Sequence, residues 1–164
     1  MNRLQSSFIL FVIVFLGFVQ SGTAQTLTAN PATPVCSGTP VTLTATGGAS
    51  YIWSTGEIGS AIVVTPAVST HYEVIVKDAS EVAIDTLTLD VTVLSLPSIS
   101  IYSNPFVCAG QPITLTANGV GTYLWSDGST GSQITVNPLV DTDYWVELTD
   151  ANGCKNKAYK TIQV

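Results

Sequence analysis

The sequence predicts an all-β chain of two small antiparallel sandwiches in tandem, and three observations lead there. Segments such as Val41-Thr-Leu-Thr-Ala45 and Ile113-Thr-Leu-Thr-Ala117 alternate apolar and hydroxyl residues, a period of two that gives one buried and one wet face. Gly and Pro punctuate these segments, and none carries apolar residues at helical spacing. The whole pattern also occurs twice. Cys36 and Cys108, Trp53 and Trp125, Pro66 and Pro138, Tyr72 and Tyr144, and Asp78 and Asp150 are each 72 residues apart. Such gapless self-similarity is the mark of a tandem duplication.

The elements follow in order. Residues 1–24 are expected to be a signal peptide. Arg3 supplies its positive start, Phe8 to Val19 its apolar run, and Gly22-Thr23-Ala24 a small-residue cleavage site. The run is short of the roughly 20 residues that span a bilayer. Residues 25–94 then form the first unit, 95–98 a short Pro-containing linker, and 99–164 the second unit. Within each unit the first strand is Val41–Ala45 or Ile113–Ala117, and the next is Tyr51–Trp53 or Tyr123–Trp125. Ser-Thr-Gly56 or Ser-Asp-Gly128 turns the chain into a short strand around Ile62 and Val64, or Ile134 and Val136, closed by Pro66 or Pro138. Tyr72, Val74 and Val76 alternate next, as do Tyr144, Val146 and Leu148. A turn at Asp78 or Asp150 leads to a last strand, Leu87–Val93 or Tyr159–Val164. Each unit is small enough that its core alone is marginal.

Composition narrows the function. Of the 164 residues only 10% are charged, and 5 Lys and Arg stand against 11 Asp and Glu, a formal charge of −6. Without a basic patch, nucleic acid is not an expected partner. One histidine and three cysteines leave little for His-based catalysis and are too few for a four-cysteine zinc site. No cofactor and no bound metal are expected. No later apolar stretch approaches spanning length, so no membrane insertion is expected once the signal is removed.

Several of these residues together resemble the immunoglobulin-like superfamily. Val41–Ala45 and Ile113–Ala117 are similar to its strand B, with Ala45 and Ala117 where antibody domains carry a cysteine. Trp53 and Trp125 resemble its strand C tryptophan. Ser69–Val74 and Asp141–Val146 resemble its tyrosine corner and strand F, with Val74 and Val146 at the second cysteine position. A nearer resemblance is to the bacterial Ig-like or PKD-like repeats of surface and adhesin-type proteins. These open with a Cys-x-Gly segment, continue through a Tyr-x-Trp-Ser-x-Gly segment and end in Asp-x-Asn-Gly-Cys. The second unit has all three, at Cys108-Ala-Gly110, Tyr123–Gly128 and Asp150–Cys154, whereas the first has Val82 at the last position. The resemblance implies tandem immunoglobulin-like sandwiches and is nearly silent on function.

In such a sandwich Cys108, before the first alternating strand, and Cys154, in the final hairpin, are expected to lie at one end and to form a disulfide in an oxidising compartment. Closing that loop is worth about 4 kcal/mol in the chain-entropy model. Cys36 is then the unpaired cysteine, its partner position being taken by Val82. Two alternatives stand beside this: an intermolecular bond or a redox role for Cys36, and a Cys36–Cys154 bond between the units, which would leave Cys108 unpaired.

The remaining candidates each have a plain reading. His71 precedes Tyr72 in a strand, so alternation points it outward and away from any triad. Asp127, Asp141, Asp143, Asp150 and Asn152 are oxygen donors of the kind that suits calcium, yet Asp and Asn are also the residues that close turns. Trp145 alternates with Tyr144 and Val146 and is expected to face solvent, with Tyr159 on the neighbouring strand. Exposed aromatics of this kind can bind a sugar or a protein, or simply pair across strands. The expectation is an exported protein, secreted or on the cell surface and with the periplasm open to it, serving as a non-catalytic structural or adhesive module. The alternatives are a glycan- or protein-binding module using Trp145 and Tyr159, and accessory N-terminal domains of a larger secreted enzyme or adhesin.

Overall fold

The computed structural model describes residues 24–164. The expected signal peptide, residues 1–24, falls outside the described residues except for Ala24. Every regular element among the described residues is a strand. The first unit contains β1 (Thr26–Asn30), β2 (Val35–Cys36), β3 (Val41–Thr46), β4 (Ser50–Trp53), β5 (Ala61–Val64), β6 (Thr70–Lys77), β7 (Ala83–Val91) and β8 (Val93–Leu94). The second contains β9 (Ser100–Tyr102), β10 (Ile113–Asn118), β11 (Thr122–Trp125), β12 (Gln133–Val136), β13 (Thr142–Thr149) and β14 (Lys155–Ile162).

Each unit stacks two three-stranded antiparallel sheets. In the first, β1-β3-β5 packs on β4-β6-β7, and in the second β9-β10-β12 packs on β11-β13-β14. The period-two pattern explains the packing. Val41, Leu43 and Ala45 of β3 are buried while Thr42 and Thr44 between them are not. Their inward side chains meet Val74 and Val76 from β6 and Val91 from β7 in one cluster. A second cluster gathers Ile113, Leu115, Ala117, Trp125, Val146 and Ile162. No buried side chain among the described residues is charged or polar in type.

The two strand C tryptophans are held alike. Trp53 Nε1 donates to Gly59 O and Trp125 Nε1 to Gly131 O, both at 2.8 Å. A buried indole thus keeps its one donor paired, as burial requires. The tyrosine corner is built differently from the resemblance. The hydroxyl-to-backbone bonds come from Tyr51, which donates to Gly48 O at 3.0 Å, and from Tyr123, which donates to Gly119 O. No such bond from Tyr72 or Tyr144 occurs among the described residues.

The strands that open each unit are additional to the expected ones. Thr26-Leu-Thr-Ala29 and Ser100-Ile-Tyr102 carry the same alternation, and they add edge strands to β3 and β10. The last strands also begin earlier than expected, at Ala83 and Lys155. A bulge opposite Val76 and Lys77 inserts one residue into β7. Val91 therefore occupies the place of Ile162, each opposite the first residue of the preceding strand, Thr70 or Thr142.

Candidate functional site

Where the first unit meets the second, the chain builds its most specific chemistry. Cys36 is placed by an edge. β2 runs parallel to β8, and Val35 N donates to Thr92 O at 3.0 Å and Ser37 N to Leu94 O at 2.8 Å. The chain then turns, with Thr39 N donating to Cys36 O at 3.0 Å and Gly38 N to Pro66 O at 3.1 Å. Gly38 has φ +79°, a left-handed conformation that glycine adopts without a Cβ clash. Cys36 thus lies half-buried beside the strand by which the chain leaves the first unit.

Cys154 is placed by a hairpin that an aspartate closes. Asp150 Oδ1 accepts from the backbone N of Asn152 and of Cys154, each at 2.9 Å. Asp150 N donates in turn to Cys154 O at 3.0 Å. An aspartate bonding its own backbone two residues on is a strong turn former. The linker is drawn against this end of the second unit. Asn156 Nδ2 donates to Pro97 O at 2.9 Å, and a Cβ on Gly119 would come 2.8 Å from Ser98 O.

Cys36 and Cys154, 118 positions apart in sequence, are joined in a disulfide with Cα atoms 5.5 Å apart. Cys108 is free and exposed. This corrects both cysteine expectations. The Cys108–Cys154 bond does not form, and Cys36 is not the unpaired residue. Strand direction supplies the reason. Cys154 immediately precedes β14, while Val107 N donates to Gln163 O just past that strand's far end. The eight residues of β14, at about 3.3 Å each, separate the two cysteines by on the order of 25 Å. A disulfide needs Cα atoms within about 7 Å. Val82 is likewise at the opposite end of the first unit from Cys36, so it was never that residue's partner position.

Trp145 and Tyr159 are direct cross-strand partners on the outer face of β13 and β14. Tyr159 is 71% exposed, but Trp145 is half-buried. Lys157 Nζ lies 4.2 Å from the indole centroid, within cation–π range. Glu147 completes the cluster, accepting from Lys155 Nζ at 2.8 Å and facing Lys157 Nζ at 3.6 Å. The hydrogen bond from Lys155 holds the Glu147 carboxyl below its ordinary range. Partial desolvation opposes this, and the charges of Lys155 and Lys157 reinforce it. The indole face is therefore already partly occupied by the chain's own ammonium group.

The acidic residues are engaged one by one instead of converging. Asp127 Oδ1 accepts from Ser129 N at 2.9 Å, Asp143 Oδ1 from Thr161 Oγ1 at 2.6 Å, and Asp141 Oδ1 from Val164 N at 2.8 Å. Among the described residues no three His, Cys, Asp or Glu side chains gather as a metal site. His71 points outward as alternation expects, with Nδ1 2.7 Å from Asp90 Oδ1 and both side chains well exposed. Such a surface pair contributes little. Among the described residues no helix is long and apolar enough to cross a membrane.

The parts that Asp150 and Asn156 play at the joint were not legible in the sequence. Asp150 was visible as a turn former, and its motif ends on Cys154, but its role in holding Cys154 appears only in the geometry. Asn156 carried no signal at all.

Each unit has an immunoglobulin-like arrangement. Its strands divide into two facing antiparallel sheets in the order first-second-fourth against third-fifth-sixth, when the short edge strands β2 and β8 are set aside. The chain is thus a tandem immunoglobulin-like β-sandwich protein. No protein-family model matches it, and no curated relative does. Among solved structures it is similar to the amphioxus IgVJ-C2 molecule, with 13% identity over 80% of this chain and 100% of that one, at a TM-score of 0.36. It is also similar to the fibronectin(III)-like modules of Clostridium thermocellum CbhA, with 13% identity over 84% of this chain and 94% of that one, at a TM-score of 0.34. A third is a 1.5-MDa bacterial ice-binding adhesin, with 16% identity over 88% of this chain and 65% of that one, at a TM-score of 0.31. Likeness at this level says nothing about activity.

Proposed function

We propose that this chain is a non-catalytic structural module of an exported protein, secreted or held at the cell surface, in which two sandwiches are fixed end to end. The units are residues 25–94 and 99–164, joined by 95–98, and residues 1–24 direct export. The single observation behind this reading is the Cys36–Cys154 bond, which ties the exit of the first unit to the final hairpin of the second. A flexible linker needs no such staple. The bond supports an oxidising compartment, where a disulfide persists. The Cys-x-Gly and Asp-x-Asn-Gly-Cys segments support a repeat of the bacterial surface type, whose role is to hold other parts of a protein at a distance or to present an adhesive surface.

Small-angle scattering of residues 25–164 with and without reductant tests the reading. One sharply defined elongated particle is expected when oxidised, with a broader distribution of end-to-end distances after reduction. Identical profiles in the two states would remove the basis for a fixed joint.

A second reading, binding of a cell-surface glycan or protein at Trp145 and Tyr159, rests on their cross-strand pairing on the outer face, with Tyr159 exposed beside the half-buried Trp145. In a glycan and cell-binding screen, any ligand held there loses binding with Trp145→Ala while the fold is retained. Binding that survives the substitution would move the site elsewhere.

A further inference from the structure

We infer that the Cys108 turn is a covalent docking point for the hairpin cysteine of a further unit of this kind, placed after the second unit as the second is placed after the first. The inference rests on the structural reading above and extends it to a particular partner. The first unit provides the precedent, because its matching cysteine, Cys36, is bonded to the next unit's hairpin.

The turn around Cys108 repeats three of the four backbone bonds around Cys36, the fourth being Ser37 N to Leu94 O. Gln111 N donates to Cys108 O at 3.0 Å and Gly110 N to Pro138 O at 2.9 Å, matching Thr39 N to Cys36 O at 3.0 Å and Gly38 N to Pro66 O at 3.1 Å. Gly110 has φ +73° against +79° at Gly38. Val107 N donates to Gln163 O as Val35 N donates to Thr92 O, each at 3.0 Å. What differs is cover. Val35 is buried and Cys36 half-buried, whereas Val107 is half-buried and Cys108 exposed. Around the uncovered turn stand two apolar side chains, Phe106 at 63% exposure and Leu139 at 73%, with Leu139 lying over Gly110. An exposed apolar rim beside a free thiol is poor surface for a finished end and suitable surface for a docked hairpin.

The partner is specified by the bond already formed. It is a unit whose hairpin reads Asp-x-Asn-Gly-Cys, so that an aspartate fixes the cysteine as Asp150 fixes Cys154. Val82 in the first unit shows the complementary case, a hairpin that cannot make this bond. In the reaction one thiolate attacks a low-molecular-weight disulfide such as oxidised glutathione, breaking its S–S bond and releasing one small thiol. The second thiolate then displaces the other small thiol. Two cysteine thiols lose two protons and two electrons, and the small disulfide takes them up as two thiols.

The test appends residues 94–164 after Val164, with Cys108→Ser in the appended copy so that its hairpin cysteine is its only thiol. Leu94 is the correct first residue because Val164 stands in the place of Val93 once the β7 bulge is counted. After oxidation in a glutathione buffer, peptide mapping without reductant should show Cys36 bonded to Cys154 and Cys108 bonded to the appended hairpin. A control with Cys154→Val in the appended copy should leave Cys108 open to alkylation. If Cys36–Cys154 forms while Cys108 stays alkylatable, or pairs with Cys108 of another molecule, the inference fails and the structural reading stands. If Cys36–Cys154 itself does not form, both fail. A second variant needs no appended unit. Cys36→Ser in the chain of residues 25–164 should leave Cys108 and Cys154 both alkylatable in the monomer, and a Cys108–Cys154 bond there would overturn the inference.

Discussion

Cys36 and Cys154 are bonded across the joint with Cα atoms 5.5 Å apart, so the one disulfide of this chain links two cores and lies within neither. Antibody domains place their staple between the two sheets of a single sandwich. Here those positions are filled by Ala45 with Val74 and Ala117 with Val146, all buried. Each core therefore relies on apolar packing, and the bond controls how the units are joined.

Reduction should lower stability while leaving both sandwiches folded. The cross-link spans 118 residues, for which the chain-entropy model gives about 5 kcal/mol from constraint of the unfolded chain. Denaturant titration should show a single late transition for the oxidised chain and an earlier onset after reduction. Far-ultraviolet circular dichroism without denaturant should be unchanged by reductant.

Trp125 is 1% exposed at the centre of the second cluster. Trp125→Ala should cost the second unit about 3–5 kcal/mol, the usual loss for a buried large aromatic. The first unit draws on a separate cluster around Trp53. Its methyl resonances, followed by NMR, should keep their native dispersion in this variant.

Asp150→Ala should weaken the hairpin and expose the disulfide to reduction. It leaves the backbone N of Asn152 and Cys154 without their charged acceptor, a loss of about 1–3 kcal/mol. Asp78 makes the same two bonds, to Ser80 N and Val82 N, at 2.8 and 3.0 Å. Asp78→Ala should destabilise the first unit comparably and leave the reduction midpoint of the Cys36–Cys154 bond where it was. A shift of that midpoint in both variants would mean that Asp150 has no special hold on Cys154.

Acid should release the ion-pair cluster beside Trp145. The Glu147 carboxyl is held below its ordinary range by Lys155. Its contribution is fully present above the unfolded carboxylate pKa and is lost as pH falls through the lowered folded value. Glu147→Gln should therefore flatten the stability-against-pH curve on the acid side of about pH 4.5 and leave the neutral region little changed. The check is thermal unfolding of both proteins across that range.

How much of this was legible in the sequence follows from what each signal encodes. Alternation in Val41–Ala45 and the 72-residue repeat reflect burial within one unit, so the strands and both cores could be read from them. The opening strands were passed over because Thr26–Asn30 and Ser100–Tyr102 are short edge segments with no fully buried residue. The disulfide was misread because cysteine spacing does not encode which end of a strand a residue occupies. Once β14 is known to run between Cys154 and Gln163, the expected pairing is excluded by distance. The outward face of Trp145 was legible from its neighbours, but the Lys157 ammonium over its ring was not, because that depends on the β13–β14 register.

Tryptic mapping of residues 25–164, exported and isolated without reductant, tests the central claim most directly. Lys77 and Lys155 bound a peptide that contains both Cys108 and Cys154, while Cys36 lies on the peptide ending at Lys77. The Cys36–Cys154 bond predicts that these two peptides travel as one species and separate on reduction, with Cys108 carrying an alkyl label throughout. Two peptides already separate before reduction, the Lys155-ending one two hydrogens light and unlabelled, would contradict the account and place the bond inside the second unit.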